Sequence, residues 1–430
     1  MAGWVKENQD RKKQPTYIIE IRRTKYMPLD FLWLNDSKEV AERLLLDTAS
    51  RIQLTPTQHE EAVRNYDALS EWVDEGDHEL SGLVTDIYPS GSFGIGAAIL
   101  GQVRKDQHDV DVVLELDLPL NSDPEFVLTS LYEAVRREPG TRYYDMTTLQ
   151  SRCVTVTYKD GRTVDLMPAV RIQGRPERVV QIFHWNAEKR ESYHKEVNPK
   201  GFATHFKDSL VYSKTFEMRF SDRMTVLAKA ETQPMPNFEP LEAKAPRQVA
   251  LQLIKRKRNL VWRSSERKGM FRQPPSVVKA ALAIPQGCAS DYLIDETIDL
   301  AETIRNTIVA ADKQGTVLEV RNPAWHPDVF TDRWPESREA QRMFAADLHN
   351  LTLDLRRLRD HDLAPAEKLR ILKEHFGETP ANYAFNTYGK AQELAKAQGR
   401  TQVSSLGKIG IVSAGAASLP KRTNFGGDPV

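Results

Sequence analysis

GSFGIGAAILGQVRKDQHDVDVVLEL, residues 91–116, sets a glycine-rich run ahead of two aspartates one residue apart, and its reading decides the fold. DVDVVLEL (109–116) alternates as a strand does. Val110, Val112, Leu114 and Leu116 share one face, while Asp109, Asp111, Val113 and Glu115 share the other. The first face meets a core and the second meets water or ions. Upstream, LVTDIY (83–88) reads as another strand, so IYPSGSFGIG is a strand, loop and helix start whose glycines let backbone N–H groups approach an anion closely. Ser90 and Ser92 add hydroxyl donors.

Aspartates at i and i+2 on a strand point to one side with Cα atoms roughly 6.6 Å apart, close enough to share cations. A ligand set of oxygens without Cys or His suits Mg²⁺, which leaves room for phosphate oxygens and water. A third carboxylate from a neighbouring strand completes the arrangement. CVTVTYKDGRTVDLMPAV (153–170) reads as a hairpin, because Asp160-Gly161 supplies the positive φ angles of a tight turn, and its second strand carries Asp165. Paired metals about 3.5–4 Å apart would then clamp the attacking and leaving oxygens of an in-line phosphoryl displacement. The spacing alone is weak evidence: Asp360-His361-Asp362 repeats it within LRRLRDHDLAPAEKLR, a charged helical stretch read as solvated surface. The loop also lacks the Lys-Ser/Thr ending of a Walker A sequence, since Ala97-Ala98 follow Gly96. Ile99 stands where a dinucleotide fingerprint needs its third glycine.

The surrounding chain of 430 residues balances 60 basic against 60 acidic side chains, so any site for a polyanion must be local. Two cysteines, Cys153 and Cys288, make neither a disulfide framework nor a four-cysteine zinc site. The N-terminus lacks a secretory signal and no stretch is long and apolar enough to span a membrane, so a cytoplasmic enzyme is expected. Residues 1–50 read as an irregular extension whose FLWL (31–34) packs on the core. The segment 55–80 reads as an amphipathic helix with Ala62, Tyr66, Leu69 and Val73 on one face. The proline-rich tract 232–246 looks like a domain junction. Beyond it RQVALQLIKRKRNLVW (247–262) and the runs at 276–283, 290–312, 337–360 and 365–375 are helical, and the last thirty residues read as a flexible tail.

Gly91-Ser92, Asp109-Val110-Asp111 and Val164-Asp165-Leu166 resemble the signature of the DNA polymerase β-like nucleotidyltransferases: a Gly-Ser pair after a strand, an Asp-x-Asp strand and a third Asp. VDLMPAV, LQLIKRKRN, PSVVKAALA and VRNPAWHPDVFTDRW (320–334) resemble one branch, the bacterial cGAS/DncV-like enzymes, which make cyclic oligonucleotide messengers in anti-phage defence (CBASS). The likeness spans residues 55–380. It implies an α+β fold: a two-lobed polymerase β-like palm with a mixed sheet over 51–245, a helical C-terminal lobe over 246–400 and a tail from 401 to 430. It also implies that Asp109, Asp111 and Asp165 bind two Mg²⁺, with Mn²⁺ as the substitute, and act as the catalytic carboxylates. Gly91, Ser92, Lys255 and Ser276 are then the nucleotide contacts, and ATP or another nucleoside triphosphate is the substrate.

Each implied contact has a plainer reading. Lys255 lies off the apolar stripe of its helix and would otherwise be solvated, as would the whole run Lys255-Arg256-Lys257-Arg258, although Lys257 falls in the stripe and must snorkel or find a partner. Ser276 would otherwise be an N-cap. His108 should point to the opposite face from the acidic pair, and His184, His194 and His205 show no metal spacing. Many relatives have Gln where this chain has Ser90, and the zinc insertion by which animal relatives bind DNA has no counterpart. A protein regulator or a conjugation partner would act through the tail. Two other functions compete: nucleotidyl transfer to RNA ends, a protein or a small molecule, and an inactive nucleotide-binding regulator.

Overall fold

The structure, a computed structural model, describes residues 36–101, 109–175, 178–230, 243–264, 267, 269–284, 289–399, 401–403 and 409–411. FLWL (31–34), His108, Cys288, most of the proline-rich tract and nearly all of the tail lie outside the described residues.

The first element corrects the sequence reading, because residues expected to be irregular form helix α1 (Ser37–Arg51). Its amphipathic signal is blurred because it is enclosed: Leu44, Leu45 and Ala49 are buried, and so are Glu42 and Asp47. Glu42 accepts hydrogen bonds from the backbone N–H groups of Leu293 and Ile294, which lets a carboxylate sit inside a core. Helix α2 (Pro56–Asp74) begins at Thr55 with a reciprocal capping box to Gln58, as the Thr-Pro start suggested.

A seven-stranded mixed sheet follows. Strand β1 (Val84–Pro89) leads through the one-turn helix α3 (Gly91–Gly94) to β2 (Asp109–Leu116). After α4 (Pro124–Arg136) come β3 (Thr147–Leu149), β4 (Val154–Thr157), β5 (Thr163–Arg171), β6 (Val180–Asn186) and β7 (Glu191–Val197). The spatial order is β1-β2-β5-β4-β3, with β6 pairing the second half of β5 and β7 pairing β6. Strands β2 and β5 are parallel neighbours at the centre. Their inner faces, Val110, Val112 and Leu114 with Val164 and Leu166, bury against α2 and α4.

The chain then turns helical: α5 (Pro199–Asp208), α6 (Lys214–Ala230), α7 (Pro246–Arg263), α8 (Ser276–Leu282), α9 (Leu293–Lys313), α10 (Arg338–Asp360), α11 (Pro365–Phe376) and α12 (Glu378–Ala397). A small hairpin, β8 (Arg321–Asn322) and β9 (Trp325–Val329), lies between α9 and α10, and β10 (Thr401–Val403) pairs with β11 (Ile409–Ile411). Helix α1 packs in this helical core beside α12 and α10.

The glycine loop is fixed between the two cores. Phe93 and Ala98 point into the sheet core, while Ile95, Ala97 and Ile99 point into the helical one. Full burial of an Ile or Phe contributes roughly 1.5–3 kcal/mol each, so the loop is held from both sides. No helix among the described residues is long and apolar enough to cross a membrane.

Candidate active site

Register brings the three aspartates together. In the parallel pairing of β2 with β5, Asp111 stands opposite Asp165 and Asp109 opposite Thr163. Neighbouring strands lie about 4.8 Å apart, so Asp165 joins the i, i+2 pair on one face of the sheet. Thr155 donates to Asp165 Oδ1 at 2.6 Å, and Thr163 donates to Asp109 Oδ1 at 2.6 Å. Among the described residues no side chain donates a hydrogen bond to the Asp111 carboxylate. Burial, then Asp165 and Asp109, push its carboxyl up to about 7, against the opposing pull of Lys255. Burial also raises Asp165, and the Thr155 hydroxyl restrains it.

Glu115, further along the same face of β2, does not meet water as the alternation suggested. It is buried, paired with Arg171 at 2.8 Å, and Arg178 stands at 3.5 Å.

The glycine loop closes on this trio. Ser90 N–H donates to the Asp111 carbonyl at 2.7 Å, which ties the loop to β2. Gly91 has φ +53°, and a Cβ there would overlap the Asp111 carboxylate, with Cγ at 2.8 Å. Only glycine allows this approach. The helix expected after the loop is a single turn, α3, and the N–H groups of Gly94, Ile95, Gly96 and Ala97 are taken by backbone carbonyls of the loop itself.

Helix α7 docks on the loop through a polar seam. Gln248 donates to the Ile95 carbonyl (2.9 Å), Gln252 to the Ala98 carbonyl (2.8 Å) and Lys255 Nζ to Ser92 Oγ (2.8 Å). These positions, i, i+4 and i+7, share one helix face. Burial, then Arg258, lower Lys255 to about 8, while Asp111 and Asp109 oppose. The basic run is not a solvated face: Arg256, Lys257 and Arg258 are buried. Arg256 donates to the Phe376 carbonyl, and Lys257 lies in the field of Asp347, Glu374 and Asp354.

Ser276 is the first residue of α8 and not its N-cap, which is Pro275. It lines the same cavity of about 490 Å³ as the aspartates, Gly91, Ser92 and Lys255. Sequence reasoning missed the opposite wall, where Arg152, Lys195, Asp328 and Asp332 line the cavity. Arg152 and Lys195 reach Asp332 at 2.7 and 3.2 Å. It also missed Lys279, fully buried beneath the α8 start with Nζ donating to the Pro274 and Pro275 carbonyls. The quoted stretch VRNPAWHPDVFTDRW carried a signal for Asp328 and Asp332; nothing local marked Arg152 or Lys195. Of the histidines left without a role, His184 stacks on Tyr193 and His194 bonds the Ser122 carbonyl. Asp360 pairs with Arg359 on its own helix.

Three like charges sharing one partly buried site, with oxygen donors only, form a donor set that fits a hard divalent cation.

Comparison with known proteins agrees with this geometry. Residues 41–209 match the family described as Second Messenger Oligonucleotide or Dinucleotide Synthetase domain. The chain is 29% identical over 375 residues to the cyclic dinucleotide synthase CdnG of Bradyrhizobium diazoefficiens, covering 85% of this chain and 88% of that protein. It is 27% identical over 410 residues to a c-di-GMP synthase of Roseivirga ehrenbergii, covering 92% of this chain and 99% of that one. The solved structure of Bradyrhizobium CdnG in complex with GTP superposes with a TM-score of 0.67, covering 80% of this chain and 97% of that one at 28% identity. Escherichia coli CdnC, solved with a HORMA protein, shares the fold alone, with a TM-score of 0.52 at 14% identity over 79% of this chain and 96% of that one. Over residues 41–209 by the family match, and over most of its length by the relatives, the chain is similar to the cGAS/DncV-like nucleotidyltransferases.

Proposed function

We propose that this chain joins nucleoside triphosphates into a cyclic di- or oligonucleotide messenger, as a cytoplasmic enzyme of bacterial anti-phage signalling. One observation carries the reading: three carboxylates and a phosphate cradle of Gly91, Ser92 and Lys255 open into a single cavity. The names of its relatives, a cyclic dinucleotide synthase and a c-di-GMP synthase, favour a two-nucleotide ring. The complex of one relative with GTP favours a guanine nucleotide among the substrates.

Asp109, Asp111 and Asp165 would hold two Mg²⁺, or Mn²⁺ in their place. When bound, such ions neutralise phosphate charge and make a ribose hydroxyl more acidic. The chain's own groups do the rest. Lys255 and the Ser92 hydroxyl hold the donor triphosphate, with Ser276 at the cavity wall. Asp165 Oδ1 is engaged by Thr155, which leaves Oδ2 to take the proton of the attacking hydroxyl. That oxygen bonds to the donor α-phosphorus, the α–β bridge breaks, and pyrophosphate leaves with the electron pair. A second transfer in the same cavity closes the ring. In this reading residues 51–245 act as the palm and 246–400 as the helical lobe, with α1 packed in the latter.

The test is incubation of the purified chain with Mg²⁺ and mixed labelled nucleoside triphosphates, followed by phosphatase treatment and mass spectrometry. A phosphatase-resistant ring is expected from the wild type and none from Asp109→Asn. A linear or protein-linked product would refute the ring-forming reading, and tight nucleotide binding without pyrophosphate release would indicate an inactive regulator.

A further inference from the structure

Asp109 and Asp165 stand at a divide between cavities. On one side lies the cavity of Gly91, Ser92 and Lys255. On the other a second cavity, about 350 Å³, touches neither the glycine loop nor Lys255; Ser151, Arg152, Thr155 and Arg333 form its wall. A third, about 410 Å³, continues outward from Arg333 to Arg272 and Lys189. Arg152 lines both of the first two cavities, Lys255 only the first, and Arg333 only the second and third, the third being lined also by Glu191, Asp332 and Glu336.

The far-side cations differ in how they are engaged. Arg152 is held by Asp332 at 2.7 Å and by His184 Nδ1 at 3.2 Å. Arg272 meets Glu336 only loosely, at 3.8 Å. Arg333 donates to Ser151 Oγ at 3.4 Å, and no carboxylate of the described residues lies within ion-pairing distance of it. Burial, then Arg152 and Arg272, hold its guanidinium below the usual range. A half-buried guanidinium crowded by two others is costly unless an anion is bound there part of the time. Joining two nucleoside triphosphates presents two polyanions at once, and only one of them reacts at its phosphate.

We propose that Arg333 and Arg272 form a subsite for the unreacting 5′-triphosphate of the nucleotide that supplies the attacking hydroxyl. This rests on the nucleotide-joining reading above. In the first transfer the acceptor keeps its triphosphate, so the linear product still carries it. For ring closure that triphosphate must leave the arginines and reach Lys255 on the other side of the aspartates. Two arginines, one of them exposed, hold a triphosphate tightly enough to orient the acceptor and loosely enough to release it.

The test separates the two roles with nucleotides that can play only one. A 2′,3′-dideoxynucleoside triphosphate donates but cannot accept. An α,β-methylene triphosphate or a 5′-monophosphate of the same base accepts but cannot donate. With the donor saturating, pyrophosphate release gives kcat/KM for each acceptor. Charge-assisted hydrogen bonds to two arginines correspond to a preference of about 10–100-fold for the triphosphate acceptor in the wild type. Arg333→Gln should reduce that ratio to below about threefold, and Arg272→Gln, at the surface, should reduce it in the same direction by about 3–10-fold. A wild-type ratio near one, or a ratio unmoved in both variants, overturns the subsite. Absence of pyrophosphate release from the wild type with every pair refutes the nucleotide-joining reading itself, and the subsite with it.

Discussion

Substituting Gly91 by alanine tests the site at its tightest contact. Two costs add. Alanine at φ +53° sits in the left-handed region, at roughly 1–2 kcal/mol. Its Cβ would also lie 2.8 Å from Asp111 Cγ and 3.1 Å from Asp111 Cβ. Rotating the carboxylate cannot relieve both, because the Asp111 Cβ is itself too close, so strand or loop must shift by several tenths of an ångström and the carboxylate by more. Misplacement of a reacting group by about 1 Å costs on the order of 100-fold in rate. We expect Gly91→Ala to lower pyrophosphate release at least about 100-fold while unfolding only a few degrees earlier, at about 2–4 °C per kcal/mol. Gly140→Ala is the control: Gly140 has φ +88° and open space where its Cβ would stand. It should show the thermal loss without the catalytic one. Normal turnover in Gly91→Ala, or an equal loss of turnover in Gly140→Ala, would refute the reasoning.

Asp111→Asn should stabilise the cation-free protein as it abolishes turnover. The Asp111 carboxyl rises from 3.8 to about 7 on folding, so ionising it costs the folded state nothing below pH 3.8 and the full penalty above pH 7. That penalty is about 2–4 kcal/mol once solvent in the open cavity is allowed for. Urea midpoints with chelator present should coincide for the two proteins near pH 4 and favour the variant at pH 8, and added Mg²⁺ should raise the wild type alone. A wild type more stable than the variant at pH 8 in chelator would contradict the assignment. Thr155→Val removes the hydroxyl that restrains the Asp165 carboxyl, so that pKa rises further and the acid limb of the pH–rate profile should move to higher pH, with turnover down about tenfold. An acid limb that stays in place would show that this carboxylate does not govern it.

The two strands and their carboxylates were legible because strand period and turn chemistry are local. The hairpin register was legible only in part. A two-residue Asp160-Gly161 turn would pair Arg162 with Lys159 and so put Val156 opposite Asp165. The observed turn is longer: Tyr158 N–H donates to the Arg162 carbonyl, and positive φ falls on Gly161 (φ +89°) and not on Asp160. That one-residue change brings Thr155 opposite Asp165. The hydroxyl now reaches the carboxylate, where a valine would have stood. The sequence supports both registers, and packing around β4 selects between them.

Helix α7 shows why the rest stayed hidden. A single apolar stripe predicts one buried face and assigns Lys255 to solvent, yet this helix is enclosed on several sides. Gln248, Gln252 and Lys255 become interpretable once their partners are known, and those partners are backbone carbonyls and a serine more than 150 residues earlier. Arg152 and Arg333 are likewise brought together by chain segments about 180 residues apart. What local pattern cannot supply is the identity of the surface that a polar helix face meets. For α7 that surface is the glycine loop, so a polar stripe at i, i+4 and i+7 beside an apolar one is itself a signal. It marks a helix that packs on a loop with unpaired carbonyls, because burying those carbonyls without donors would cost more than the apolar contacts return.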